Sequence, residues 1–293
     1  MITFFTTAKA FIDKTKDSQL NALRSWLMLH KDIEVFVFEE PDGIDLAKID
    51  SRITIVSEVQ KDFEIPRVDF MFDYASTNAK NKLVCFINCD IILTSEFINI
   101  AHKHLYALKD NFLAVGQRWD FENNNGEWKF DDNWEERYLT NVEKIIHPPS
   151  GSDYFLFPKG QYRHSEMAPL IVGRPGWDLW MIYDARKRGF KTIDLSMKYK
   201  VYHQNHDYSH KKVQFASNLE EPEAQKNLSF LPPDGKYDFT LFACEYYLNI
   251  DFVIKKLFSR GDRIKYLRIN FLLGKKQFLS KLKFRLFAKE NLK

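Results

Sequence analysis

The sequence predicts an α/β fold built on an open, mostly parallel sheet flanked by helices. Three observations carry that expectation. From Ile2 to Gln117, short β-branched and aromatic runs alternate with segments of helical spacing, the pattern of successive βαβ units. One run, LVCFINCDIIL at 83–93, is apolar almost throughout, as a strand covered on both faces must be. Finally, the chain has no internal repeat and no apolar run near the ~20 residues that span a bilayer.

The elements follow in order. ITFFTTA is β-branched and aromatic and predicts the first strand. SQLNALRSWLML sets Leu20, Leu23, Trp26 and Leu27 on one helical face. IEVFVFEE and RITIVSEV predict the second and third strands, and VDFMFDYASTNAK returns to helical spacing with Phe70, Tyr74 and Ala75. After the apolar strand, EFINIAHKHLYALK predicts a helix and NFLAVGQ a further strand. Residues 119–150 are polar and aromatic with no clean period, so a long connection or lid-like insertion is expected there. GSDYFLFPKG restores a short strand, GWDLWMIYDARKRG a helix ending at Gly189, KTIDL and KYKVYHQ two more strands, and EPEAQKNLSF a helix.

At 293 residues and 34.8 kDa the chain can hold one large domain with an appendage. Domain boundaries are expected at 1–230 for the α/β body and 231–293 for a C-terminal extension. Three cysteines, Cys85, Cys89 and Cys244, offer no disulfide framework and no CxxC site, which fits a reducing compartment. No leader pattern is visible in MITFFTTAKAF, so a cytoplasmic protein, soluble or peripheral, is expected. The net charge of +3 hides a division. Residues 251–293 carry thirteen Lys and Arg against three Asp and Glu, a net of +10 that leaves −7 for residues 1–250.

Ligands of open α/β sheets bind beyond the carboxyl ends of the strands, so polar residues at strand ends are the candidates. Asn88 and Asp90 close the most apolar strand. A carboxylate there needs a partner, and a divalent cation is one that suits it; capping of the following helix is the plainer role. Asp153, after Gly-Ser, enters an aromatic strand, with a simple turn as the alternative. In GRPGWDLW, Asp178 sits where a helix N-terminus favours an acid. Capping does not explain Trp177 and Trp180 beside it, and an aromatic floor next to a carboxylate suits a sugar pocket whose acid takes a hydroxyl proton. VYHQNHDYSH gathers His203, His206 and His210 with Asp207. That spacing matches no standard structural zinc site, so one histidine contacting a metal in a braced loop is preferred.

Taken together, NCDIIL, VGQRWD, GSDYFLFPK, GRPGWDLWMIYDARKRG and HQNHDYSH, in this order, resemble a group of GT-A-type glycosyltransferase-like proteins of bacterial and large-virus glycan assembly. The resemblance covers roughly residues 1–230. It implies a GT-A-like, Rossmann-like domain that uses a nucleotide-sugar donor, UDP-linked by expectation, with Mn²⁺ or Mg²⁺. It puts Asp90 in the metal position, while Asn88 replaces the first acid of the D-x-D pattern and is a poorer ligand. Thr6, Thr7 and Lys9 at the first strand's end, Glu39 after the second and Arg67 at a helix start become nucleotide contacts. Asp178 becomes the catalytic base of an inverting enzyme and Asp153 a sugar contact, the two roles being exchangeable. His203, then His206, completes the metal shell.

The tail mixes bulky apolar residues with Lys and Arg in an imperfect helical amphipath. Contact with an anionic membrane surface is expected, as suits a lipid-linked acceptor; docking on the acidic body is the alternative. No nucleic-acid module accompanies the charge. Two other function classes stay open: a zinc-dependent hydrolase centred on the histidines, and a non-catalytic nucleotide- or glycan-binding relative.

Overall fold

The computed structural model describes residues 1–205, 219–233, 238–249 and 251–257. Strand β1 (Ile2–Thr7) leads to helix α1 (Asp13–Met28), β2 (Glu34–Phe38) and β3 (Ile53–Val56). A small hairpin of β4 (Lys61–Asp62) and β5 (Ile65–Pro66) precedes α2 (Val68–Asn78). Then come β6 (Leu83–Ile87), β7 (Ile91–Ile92), α3 (Ser95–Ile100), β8 (Phe112–Val115) and β9 (Arg118–Glu122). After α4 (Trp134–Leu139) and β10 (Ile145–Ile146), β11 (Tyr154–Pro158) crosses the middle of the molecule. Helix α5 (Trp177–Lys187), β12 (Lys191–Asp194), β13 (Val201–Asn205), α6 (Pro222–Ser229), β14 (Tyr246–Leu248) and β15 (Ile254–Lys256) finish the described chain.

The expected open α/β sheet is present, with nine strands in the order β15-β14-β12-β8-β11-β6-β1-β2-β3. Seven strands run parallel; β11 and β15 run against them. In the first strand the period of two sends consecutive phenylalanines to opposite faces. Phe4 packs on Trp26 at 5.6 Å under α1, and Phe5 meets Phe72 edge-on at 4.9 Å under α2. Helix α2 buries Val68, Met71, Phe72 and Ala75, the i, i+3, i+4, i+7 stripe that a sheet-covering helix needs. Helices α1 and α3 therefore cover one face, and α2 and α5 the other. No described helix is long and apolar enough to cross a membrane.

Two expectations change. Residues 119–150, expected as a long connection or lid-like insertion, hold most of β9, helix α4 and strand β10. Trp128 stacks on Tyr138 at 4.6 Å, Phe130 and Trp134 join them, and Asn21 of α1 grips the loop through Gly126 O at 2.9 Å and the Trp128 N–H at 2.7 Å. An aromatic cluster with a buried polar clamp gives this stretch its own small core, which has no period because it is neither helix nor strand throughout. Residues 246–256, expected in an extension beyond 230, add β14 and β15 to the central sheet, β14 pairing in parallel with β12. The tail beyond Leu257 lies outside the described residues, as does its membrane contact.

A second sheet, β10-β9-β13-β7, stands over the carboxyl ends of β6 and β8. The strands β7 and β9 leave those two ends directly, so the polar residues between them face the region where α/β folds place ligands.

Candidate functional site

A cleft of about 540 Å³ opens at these strand ends, lined by Thr7, Lys9, Asn88, Asp90, Arg118 and Asp153 among others, with His203 at its floor. Its geometry follows from register. Because β11 is antiparallel to β6, Tyr154 pairs with Ile87, and the residues just outside that pair, Asp153 and Asn88, meet at the same pole. The Asn88 backbone N–H donates to Asp153 O at 2.9 Å, and its side-chain amide donates to Asp153 Oδ1 at 2.8 Å.

Arg118 opens β9 and Asp120 lies two residues on, on the same side of the strand. Arg118 donates through Nε to Asp120 Oδ1 at 2.8 Å and through Nη1 to Asp153 Oδ1 at 2.7 Å. His203 of β13 is paired in register with Asp120 on one side and with Ile91, next to Asp90, on the other. Its imidazole, 2% exposed, spans the two acids, with Nδ1 3.0 Å from Asp120 Oδ1 and Nε2 3.5 Å from Asp90 Oδ2. His147 Nδ1 lies 2.9 Å from the other oxygen of Asp120.

Burial works against a charged His203, yet the Asp120 and Asp90 carboxylates beside it push its pKa up to about 9. Burial alone would raise Asp120, but hydrogen bonds from His147 and His203 and the Arg118 charge hold it well below the usual carboxylate range. Asp120 is thus a fixed negative charge that orients His203 through Nδ1 and leaves Nε2 aimed at Asp90. That carboxylate–histidine arrangement is the one in which histidine serves metals.

Asp90 and His203 would be two ligands of an oxygen-rich shell, completed by substrate and water, around a divalent cation that displaced the proton His203 holds between its two carboxylates. Among the described residues no three His, Cys, Asp or Glu side chains are grouped to hold a metal by themselves. A zinc site of the hydrolase type would therefore need His206 and His210, which lie outside the described residues.

The structure assembles part of the expected set. Thr7, Lys9, Asn88, Asp90, Asp153 and His203 share the cleft. Thr6 lies buried behind it, its hydroxyl donating to Thr7 O at 3.1 Å. Glu39 is away from the cleft in an ion pair with Lys61, and Arg67 is held in a forked contact with Asp69, so neither side chain is poised for a nucleotide here. Trp177 and Trp180 are not a sugar floor. Each is 5% exposed within the core, and Trp177 packs on Phe86 and Phe155 at 4.9 and 5.1 Å. Asp178 follows Trp177 into α5, half-buried and off the cleft lining. Removal from water, with the nearby Asp153 charge adding, pushes its carboxyl up to about 6 against the pull of the Leu179 and Ser152 backbone groups.

Sequence reasoning missed Arg118, Asp120 and His147, and at the rim Arg174 and Glu221. An R-x-D pair inside VGQRWD was a usable signal, since alternate residues of a strand share a face.

No family model matches the chain, and no curated protein matches it. Among solved structures, S. aureus TarS 1–349 in complex with UDP-GlcNAc is similar with a TM-score of 0.41 and 12% identity, over 78% of this chain and 70% of that one. A second structure of S. aureus TarS 1–349 gives 0.41 and 10%, over 89% and 97%. Neither likeness bears on substrate or chemistry.

Proposed function

We propose that this chain is a glycosyltransferase that takes a sugar from a nucleotide diphosphate donor, UDP-linked by preference, and passes it to a hydroxyl of a glycan or lipid-linked acceptor. The observation that carries this reading is the Asp90–His203–Asp120 line at the carboxyl ends of the parallel strands, with the cations Lys9, Arg118 and Arg174 in the same cleft. A departing diphosphate needs positive charge, which Lys9, Arg118 and Arg174 would supply beside a carboxylate suited to a metal.

The residues divide the work by position. Lys9 sits on the loop leaving β1, fixed by Gln19 of α1, which accepts from the Lys9 N–H at 2.7 Å and donates to its carbonyl at 3.1 Å. Asp90 and His203 would hold Mg²⁺ or Mn²⁺, whose charge would offset that of the leaving group. The acceptor hydroxyl, a poor nucleophile near neutral pH, needs a carboxylate to take its proton. Geometry favours Asp153 for that task because it lines the cleft, while Asp178 stands off it. Asp153 Oδ1 is held by Asn88 and Arg118, and Oδ2 is buried without a hydrogen bond among the described residues. A carboxylate fixed through one oxygen presents the other in a set direction. The basic sequence from residue 251 onward supports a peripheral location on an anionic membrane.

The test is thermal stability against UDP, GDP, dTDP and CMP, with and without Mn²⁺. A ligand specific for the folded state adds about 2.7 kcal/mol at a hundredfold excess over Kd. Stabilisation by one nucleotide, enhanced by Mn²⁺ and lost in Asp90→Ala, is the expected result. No response to any nucleotide would sink the transferase reading.

A further inference from the structure

The turn Gly173-Arg174-Pro175-Gly176 forms one wall of the cleft, and Glu221 reaches the same wall from the start of α6. The turn is rigid. Gly173 and Gly176 adopt left-handed φ of 69° and 100°, and a Cβ on Gly176 would stand 3.0 Å from Leu228 Cδ2. Buried Asn227 of α6 clamps the turn's backbone. Its amide donates to Ile171 O at 2.9 Å and Arg174 O at 3.3 Å, while its oxygen accepts from the Ile171 N–H at 2.8 Å.

The side chain of Arg174 is less well served than its backbone. Its Nε is buried and makes no hydrogen bond among the described residues, and the nearest carboxylate oxygen, Glu221 Oε2, stands 3.6 Å away. Among the described residues its hydrogen-bond acceptor is the neighbouring Gly173 carbonyl, at 3.4 Å. A guanidinium is built to grip a planar or tetrahedral oxyanion through two parallel N–H donors. Here it is held in a cleft beside a single, distant carboxylate, both side chains half-buried. Such a pair is weak and exchanges readily for a better anion.

We infer that Arg174 receives a phosphate of the donor, and that Glu221 is an internal competitor which occupies the guanidinium until the phosphate displaces it. This rests on the cleft being the donor site. The same helix sets both partners, Asn227 fixing where Arg174 stands and Glu221 what it meets there. The competitor limits affinity for anions, so product diphosphate is released more readily than from an uncontested arginine.

Calorimetry with UDP and with inorganic pyrophosphate tests this in the full-length chain. Arg174→Ala weakens both ligands, on the order of tenfold or more, as expected for a lost charge-assisted contact. Glu221→Gln, isosteric and uncharged, tightens both severalfold. In the double variant the Glu221→Gln gain disappears. Arg174→Lys, which keeps the charge but loses the fork, falls between wild type and Arg174→Ala and guards against a fold defect in the latter. Unchanged affinity in Arg174→Ala, or unchanged or weaker binding in Glu221→Gln, overturns the inference while the donor reading stands. Pyrophosphate following this pattern with no nucleotide bound keeps Glu221 as the competitor at Arg174 but overturns the assignment of a donor phosphate, and the transferase reading with it. Absence of binding by either ligand removes both.

Discussion

At the scale of single residues, Asp178 and Asp153 show how two neighbouring motifs place their acids differently. Asp153 lines the cleft, buried and tied by two donors; Asp178 lies off the cleft at the start of α5. With its carboxyl pushed from the ordinary 3.8 up to about 6, the folded state keeps a proton that the unfolded chain releases. Stability therefore falls as pH rises through that window, because the unfolded state binds fewer protons there. Urea unfolding at a series of pH values should show this descent in the wild type and a flatter profile in Asp178→Asn. An identical slope in the variant would show that the group is not held out of water. The sequence makes both acids visible because each borders aromatic residues, Asp153 at the start of a strand and Asp178 between Trp177 and Leu179. It does not say which faces the cleft, because that depends on β11 running antiparallel. Nor does it separate Trp177 as core from Trp177 as stacking floor, since a tryptophan beside an acid reads the same in either setting.

At the scale of elements, the GRPG turn and the second sheet decide the site. Replacing Gly176 by Ala asks an L-residue to hold φ of 100° with its Cβ against Leu228. The cost should be about 1–3 kcal/mol, measured as a shift of the urea midpoint at constant slope, while Gly160→Ala, with a left-handed φ but open space around it, costs less. The strands of the central sheet from β1 to β12 were legible from their composition, down to the buried run at 83–87, whereas β14 and β15 were not. Nor was the second sheet. Strand β9 finds its partner β13 some eighty positions later in sequence, as in the Asp120–His203 pair, and no local period records a pairing at that range. Arg118 and Asp120 went unrecognised for that reason, even though the motif holding them stood out.

At the scale of the whole molecule, charge is the organising quantity. The cleft faces from a body of net −7, and the net +10 lies in residues 251–293. Changing Lys275, Lys276, Lys281, Lys283 and Arg285 together to Gln in the full chain should weaken sedimentation with anionic vesicles, by about 1 kcal/mol for each charge at the surface, and leave nucleotide affinity unaltered. Vesicle binding that survives the change would assign the tail to the acidic body instead.

The reversed strand β11 has a kinetic meaning as well. Among the described residues it is the one neighbour that β6 and β8 share, and it brings Asp153 to Asn88 across 65 positions. Until it inserts, the sheet is two separate pieces, and Asp90 stands at the edge of one of them without its opposing acid. Long-range insertion is a slow step in folding. Under the proposed function, affinity for the donor is expected to arrive last, so that nucleotide binding would report that the chain has finished folding.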